Sequence, residues 1–278
     1  MLLKAATLAC ALVLYGAAAG CGSTRDAPDP VRSSSVVIWA VGDGGVDNAA
    51  SRAVIRLIER DRPARVIYLG DVYEAGTASE FATFGQIWRP LLKRTWPVPG
   101  NHDWPNHRRG YGPFWASVHD RAQPAAYTRR VVGWTLLAAN SEDLGAVQRR
   151  RLRRQAAGGG NCRIAFWHRP RFNAGEHRDE QRDVDGLWRA IRGRAAILLS
   201  GHDHDMQRFK PVDGTVQYVS GAGGKSHYAV DRSDRRLAFS DSSADGALRI
   251  SLRKGRADLR FISTDGDVLD RSTVTCRG

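Results

Sequence analysis

Five short apolar runs each stop at an Asp, Asn or His. Val66-Ile67-Tyr68-Leu69 leads into Gly70-Asp71, and the run 36–41 leads into Gly42-Asp43. Trp96-Pro97-Val98-Pro99 ends at Gly100-Asn101-His102-Asp103, the run 163–167 at His168, and the run 195–200 at Gly201-His202-Asp203-His204. An apolar run of this length reads as a buried strand, and open α/β sheets place their sites at the C-terminal ends of such strands. Five strand ends of this chemistry predict one shared cluster of metal-type ligands.

Between the runs the period changes from two to about 3.6. Asn48 reads as the N-cap of a helix ending near Arg60, with Val54, Leu57 and Ile58 on one face. Strand, helix and a second strand over 64–69 then make a βαβ unit. Helices are also predicted over 78–92, with Phe81, Phe84, Ile87, Trp88 and Leu91 inward, over 144–157, with Leu144, Val147 and Leu152 inward, and over 184–192. Residues 127–132 and 134–139 read as a hairpin around Gly133, whereas 106–126 shows no clear period. Beyond His204 only strands are predicted, over 206–209, 215–220, 246–252 and 257–262, forming a second sheet packed on the first. The expected fold class is α/β, a four-layer α/β/β/α sandwich in one domain over 36–278.

The first residues are of a different kind. Lys4 precedes an apolar, uncharged stretch over 5–19 shaped like a secretory signal, so 1–20 is read as a leader and 21–35 as a flexible tether. Ala17-Ala18-Ala19 suits an ordinary signal peptidase. Ala18-Ala19-Gly20-Cys21 resembles a bacterial lipobox, the favoured reading, in which Cys21 carries lipid and holds an exported protein on the outer side of a bacterial membrane. Cys162 and Cys276 then remain, which in an exported chain suggests one disulfide; two separate buried thiols are the alternative.

The 278 residues carry a formal net charge of +13, which favours anionic partners. No block of Lys and Arg alternates with aromatics, so specific nucleic-acid binding is not expected, and the arginine run 149–154 reads as a solvated face.

Oxygen and nitrogen donors without thiolates suit Zn, Mn, Fe or a mixture. His202 and His204 stand at i and i+2, so an extended backbone points both to one side. Gly42-Asp43-x-Gly45, Gly70-Asp71 with a nearby Tyr, Gly100-Asn101-His102-Asp103, His168 and Gly201-His202-x-His204 resemble the motif series of the calcineurin-like metallophosphoesterases, and Gly45 with Tyr73 is similar to the purple acid phosphatase branch. Gly175-Glu176-His177 and the run 218–223 resemble stretches of its small, single-domain members.

The resemblance implies two metal ions, iron with zinc, manganese or a second iron, and a metal-bound hydroxide that attacks phosphorus. It implies that Asp71 bridges the ions, that Asp43, His204 and Tyr73 complete the first, and that Asn101, His168 and His202 complete the second. His102 would protonate the leaving oxygen or stabilise phosphoryl charge, Asp103 would orient the His102 ring, and His177 would face the phosphate.

Two departures stand out. Arg169 occupies the place of a second His found in many relatives, where it either holds phosphate or makes a salt bridge elsewhere. Tyr73 follows the bridging Asp by two residues where the purple branch expects three, leaving either a rearranged loop that still delivers the phenol or an open first metal. The expected activity is hydrolysis of small phosphate monoesters by a monomer. The alternatives are a phosphodiesterase on the same site and a non-catalytic surface lipoprotein that binds polyanions.

Overall fold

The computed structural model describes residues 35–277. The leader, almost all of the tether and the proposed lipidation site Cys21 lie outside them. Among the described residues no helix is long and apolar enough to cross a membrane.

The chain opens with β1 (Val36–Val41), α1 (Ala49–Arg60), β2 (Arg65–Tyr68), α2 (Ala78–Ile87), β3 (Thr95–Pro97) and α3 (Tyr111–His119). It continues with β4 (Tyr127–Val131), β5 (Trp134–Ala138), α4 (Ala146–Ala156), β6 (Arg163–Phe166), α5 (Asp185–Ile191), β7 (Ile197–Ser200), β8 (Met206–Phe209) and β9 (Val216–Ser220). It closes with β10 (Leu237–Asp241), β11 (Gly246–Arg253), β12 (Arg256–Ser263) and β13 (Val268–Thr275). Two mixed sheets result, in the orders β13-β12-β11-β1-β2-β3 and β10-β8-β9-β7-β6-β5-β4.

Period-two alternation buries both faces of the central strands. Along β1, Ile38 and Ala40 enter the core between the sheets with Ile67, Leu136, Ile164, Phe166 and Leu199. Trp39 and Val41 turn outward to a second core with Val54, Ile58, Phe84 and Trp115 from α1, α2 and α3 and with Trp88 just past α2. Leu137, Ala165 and Leu198 meet Leu152, Leu187 and Ile191 of α4 and α5 on the far side. Three cores between four layers make the α/β/β/α sandwich.

The strands after His204 do not make a sheet of their own. β8, β9 and β10 extend the second sheet, while β11 pairs antiparallel with β1, from Val36 opposite Leu252 to Ala40 opposite Leu248, and carries β12 and β13 with it. The second sheet is widened by β9, parallel to β7, and then by antiparallel β8 and β10, and the first by antiparallel β11, β12 and β13.

Several elements differ from their sequence pattern. The helix expected over 78–92 begins on the Thr77–Glu80 capping box and ends at Ile87, although Trp88 and Leu91 stay buried in the turn that follows. α3 was hidden by Gly112 and Pro113, yet Pro113 stands in its first turn, where a missing N–H costs nothing, and Tyr111, Trp115 and Val118 bury at helical spacing. In α4 the inward residues are Gln148, Leu152 and Ala156, four apart. Val147 instead stands outward with 72% of its surface exposed, because it lies five residues before Leu152, about 140° around the helix.

Cys162, at the start of β6, is bonded to Cys276, just past β13, across 114 residues of sequence. The bond ties the two sheets together at one end. Closing a loop of that length restricts the unfolded chain. Replacing both cysteines by Ser should lower the unfolding free energy by about 2–5 kcal/mol, measured by urea titration against the oxidised parent; an unchanged midpoint would show that the bond does not stabilise the fold.

Candidate metal centre

The five strand ends meet at one rim of the two sheets. Asp43, Asp71 and Asn101 follow β1, β2 and β3, and His168, His202 and His204 follow β6 and β7. The loops lie so close that there is no room for β-carbons between them. A β-carbon on Gly100 would stand 2.0 Å from Asp71 Oδ1, and one on Gly70 would stand 2.7 Å from His168 Nδ1. Gly70 also has φ +99°. This is why Gly precedes the ligand in these motifs.

Asp43, Asp71 and His202 hold left-handed backbone, at φ 61°, 67° and 76°. Such backbone costs an L-residue roughly 1–2 kcal/mol. Hydrogen bonds inside the cluster offset it. The Asp43 N–H donates to the Gly70 carbonyl (3.0 Å), the His202 N–H to Asp43 Oδ2 (2.9 Å) and the His102 N–H to Asp71 Oδ1 (3.0 Å).

Two donor groups form around these turns. In one, His168 Nε2 lies 2.9 Å from Asn101 Oδ1, 3.1 Å from His202 Nδ1 and 3.3 Å from Asp71 Oδ2. His168 donates from Nδ1 to the Leu69 carbonyl (2.7 Å), which turns Nε2 inward. His202 is turned likewise by Glu180, 3.0 Å from its Nε2. In the other group, the Tyr73 hydroxyl lies 2.6 Å from Asp43 Oδ1 and 2.8 Å from His204 Nε2, while His204 Nδ1 donates to the Ser226 carbonyl (2.8 Å). The two-residue spacing after Asp71 therefore still brings the phenol oxygen to the other donors.

Asp43, Asp71 and Asp103 are all buried here, and the opposing charge is one imidazole. Burial pushes Asp43 up to about 8. His168 is pulled down by its own burial, but the Asp71 carboxylate outweighs this and raises it to about 10. Burial acts to raise Asp71 as well, yet His168 holds it below the usual carboxylate range. Asp43 and His168 thus hold on to protons against the crowding of negative charge, and divalent or trivalent cations would supply that positive charge instead. The donor set, all carboxylate, amide, imidazole and phenol, fits zinc, manganese or iron.

A family model described as calcineurin-like phosphoesterase matches residues 36–206. The chain belongs to that family. It is thus a metal-dependent phosphoester hydrolase, and members of the family typically bind two metal ions. A search of curated proteins by sequence finds no match.

Solved structures share the fold. The purple acid phosphatase PPD1 from yellow lupin seeds superposes with a TM-score of 0.70 at 18% identity over 89% of this chain and 55% of the lupin chain. GAP50, the anchor in the inner membrane complex of Plasmodium, gives 0.71 at 15% identity over 88% of this chain and 90% of its own. A dimetal phosphatase from Danio rerio gives 0.57 at 14% identity over 86% and 98%.

Around the cluster of this phosphoesterase, two side chains have other partners than the motifs suggest. Asp103 does not touch the His102 ring. Its carboxylate accepts the backbone N–H groups of Gly100 (2.8 Å), Asp71 (2.9 Å) and Val72 (2.8 Å), so it ties the β3 loop to the β2 loop. The His102 ring is held instead by the Glu74 carbonyl, 2.5 Å from Nδ1. Arg169 is taken up by carboxylates rather than left for phosphate. Its Nε donates to both oxygens of Glu142 (3.0 and 3.1 Å), and Nη1 meets Glu180.

His177 is at the site, with its ring centroid 4.1 Å from that of His202 and Nδ1 2.8 Å from Asp203 Oδ1, a bond that raises its basicity. Sequence reading missed Glu142 and Glu180, Tyr228, which stacks on His204 at 4.1 Å, and Lys225, whose Nζ lies 4.4 Å over the Tyr73 ring. Lys225 follows the run Gly221-Ala222-Gly223-Gly224, the one signal that the backbone there passes close to other loops.

Removing the Asp103 carboxylate strands three buried N–H groups. Asp103→Ala is expected to lower stability by at least about 2 kcal/mol and to lose bound metal by elemental analysis, while His102→Ala keeps its metal. Full metal content in Asp103→Ala would refute this loop-holding role.

Proposed function

We propose that the protein is an exported phosphatase that hydrolyses small phosphate monoesters. The observation that carries the reading is the meeting of two donor groups at one rim, Asp71 in the first of them, with His102 beside Tyr73 and His177 beside His202. Asp43, Tyr73 and His204 would hold one ion, Asn101, His168 and His202 the other, and Asp71 both. When bound, two such ions supply a hydroxide at neutral pH and neutralise charge on the phosphoryl oxygens.

The chain's own residues do the rest. His102 has Nδ1 fixed on the Glu74 carbonyl, so Nε2 is the nitrogen free to hold a proton and pass it to the leaving oxygen. His177, made more basic by Asp203, binds a phosphate oxygen through its other nitrogen. A monoester carries one more negative charge than a diester, and donors stand beside both groups: His177 next to His202, and Lys225, itself paired with Glu74, over the Tyr73 ring. That balance supports the monoester reading. Export rests on the leader, and tethering on Cys21.

The test is turnover by metal-loaded protein of 4-nitrophenyl phosphate against its bis(4-nitrophenyl) diester. The monoester should give the higher kcat/KM, and a chelator should abolish activity until metal is returned. Preference for the diester would make the protein a phosphodiesterase, and turnover of neither would end the proposal. His102→Ala should lose about 10²–10⁴-fold in kcat on an alkyl phosphate and much less on the nitrophenyl ester, whose leaving group needs no proton. Equal losses on both would remove His102 from the acid role.

A further inference from the structure

The arginine run that reads as a solvated face in the sequence forms one wall of a cleft. Arg149, Arg150 and Arg153 of α4 face Arg189 of α5 across a concavity of about 270 Å³, which contains none of the metal-centre residues. The wall is built in part by an absence. A β-carbon on Gly186 would stand 2.5 Å from Arg149 Cδ, so the glycine lets the arginine stem lie against α5.

The cations in this cleft are poorly matched by anions. Among the described residues Arg150 and Arg153 have no carboxylate partner. Arg189 reaches Asp185 only at 3.8 Å, and that carboxylate is held at 2.6 Å by Arg171. α4 has no acidic residue in its first turn, and Arg149 with Arg153 and Arg150 with Arg154 stand four apart, where like charges repel. Guanidinium groups that converge on a concave surface without carboxylates suit phosphate oxygens, which they can grip two at a time.

We propose that the α4–α5 cleft is a second anion site, apart from the metal centre, that takes closely spaced phosphate groups. They come either within a free oligophosphate or from neighbouring headgroups of an anionic phospholipid surface. One ligand chemistry thus has two sources, and the proposal does not depend on the monoesterase reading.

Methylenediphosphonate, which is not hydrolysed, is the soluble probe, titrated by calorimetry into metal-loaded full-length protein. Wild type should show two binding events, one matching the inhibition constant of phosphatase turnover and one not. Arg150→Gln/Arg153→Gln should stay folded by circular dichroism and lose the second event by at least tenfold in affinity. In parallel, both proteins are sedimented with phosphatidylglycerol and with phosphatidylcholine vesicles. Retention on phosphatidylglycerol that the double variant loses assigns the lipid headgroup. A second calorimetric event without such retention assigns a free oligophosphate. The proposal is overturned if wild type shows neither, or if the folded double variant matches wild type in both assays.

Discussion

The structure depends on how closely five backbone turns approach one another at the rim between the sheets. Gly100 lies against the Asp71 carboxylate with no room for a side chain, and Asp43, Asp71 and His202 accept left-handed backbone to aim their donors inward. Turns this crowded leave their N–H groups without water, so the cluster must satisfy them itself. Asp103 takes three and Asp43 Oδ2 one. The same carboxylates that would serve as ligands or neighbours of ligands therefore hold the loops in place.

That economy concentrates negative charge where water is excluded. Three buried carboxyl groups crowd one imidazole, whose Nε2 lies among Asn101, His202 and Asp71; burial together with the crowding raises Asp43, and the crowding raises that imidazole against its own burial. In a low-dielectric site the deficit is expensive, and cations are the natural remedy. The topology makes room for metal: parallel strands of two sheets end at one rim, each brings a polar residue there, and two of these, Asp43 and Asp71, also accept N–H groups of neighbouring turns.

The strand-then-ligand grammar was readable because it is local. Each apolar run, its Gly and its Asp, Asn or His lie within about ten residues, and their order alone brings them to one edge once the strands are parallel. The partners of the His102 ring and of Arg169 were not readable, since Glu74, Glu142 and Glu180 enter from loops without a helical or strand period. β10 and β13 were missed for a related reason. They lie at the outer edges of the sheets, bury little and alternate weakly, so apolar pattern does not mark them. Val147 was misplaced because five residues separate it from Leu152, which puts the two on different faces of a helix.

Arg169 shows how the chain uses its excess arginine in two ways. Beside the metal centre the guanidinium is saturated by Glu142 and Glu180, and Glu180 also meets His202 Nε2, so an imidazole found there in many relatives is replaced by an ion-pair network that orients a ligand from behind. Glu142 and Glu180 stand on the segments that lead into α4 and α5. A few residues further along those same helices the arginines face one another with hardly any carboxylate between them. The arginine charge near the ligands is taken up by carboxylates, whereas the charge in the cleft is open to anions in the medium. The two arrangements share a framework, so an anion held between α4 and α5 would press on the two helices whose leading segments position Glu142 and Glu180.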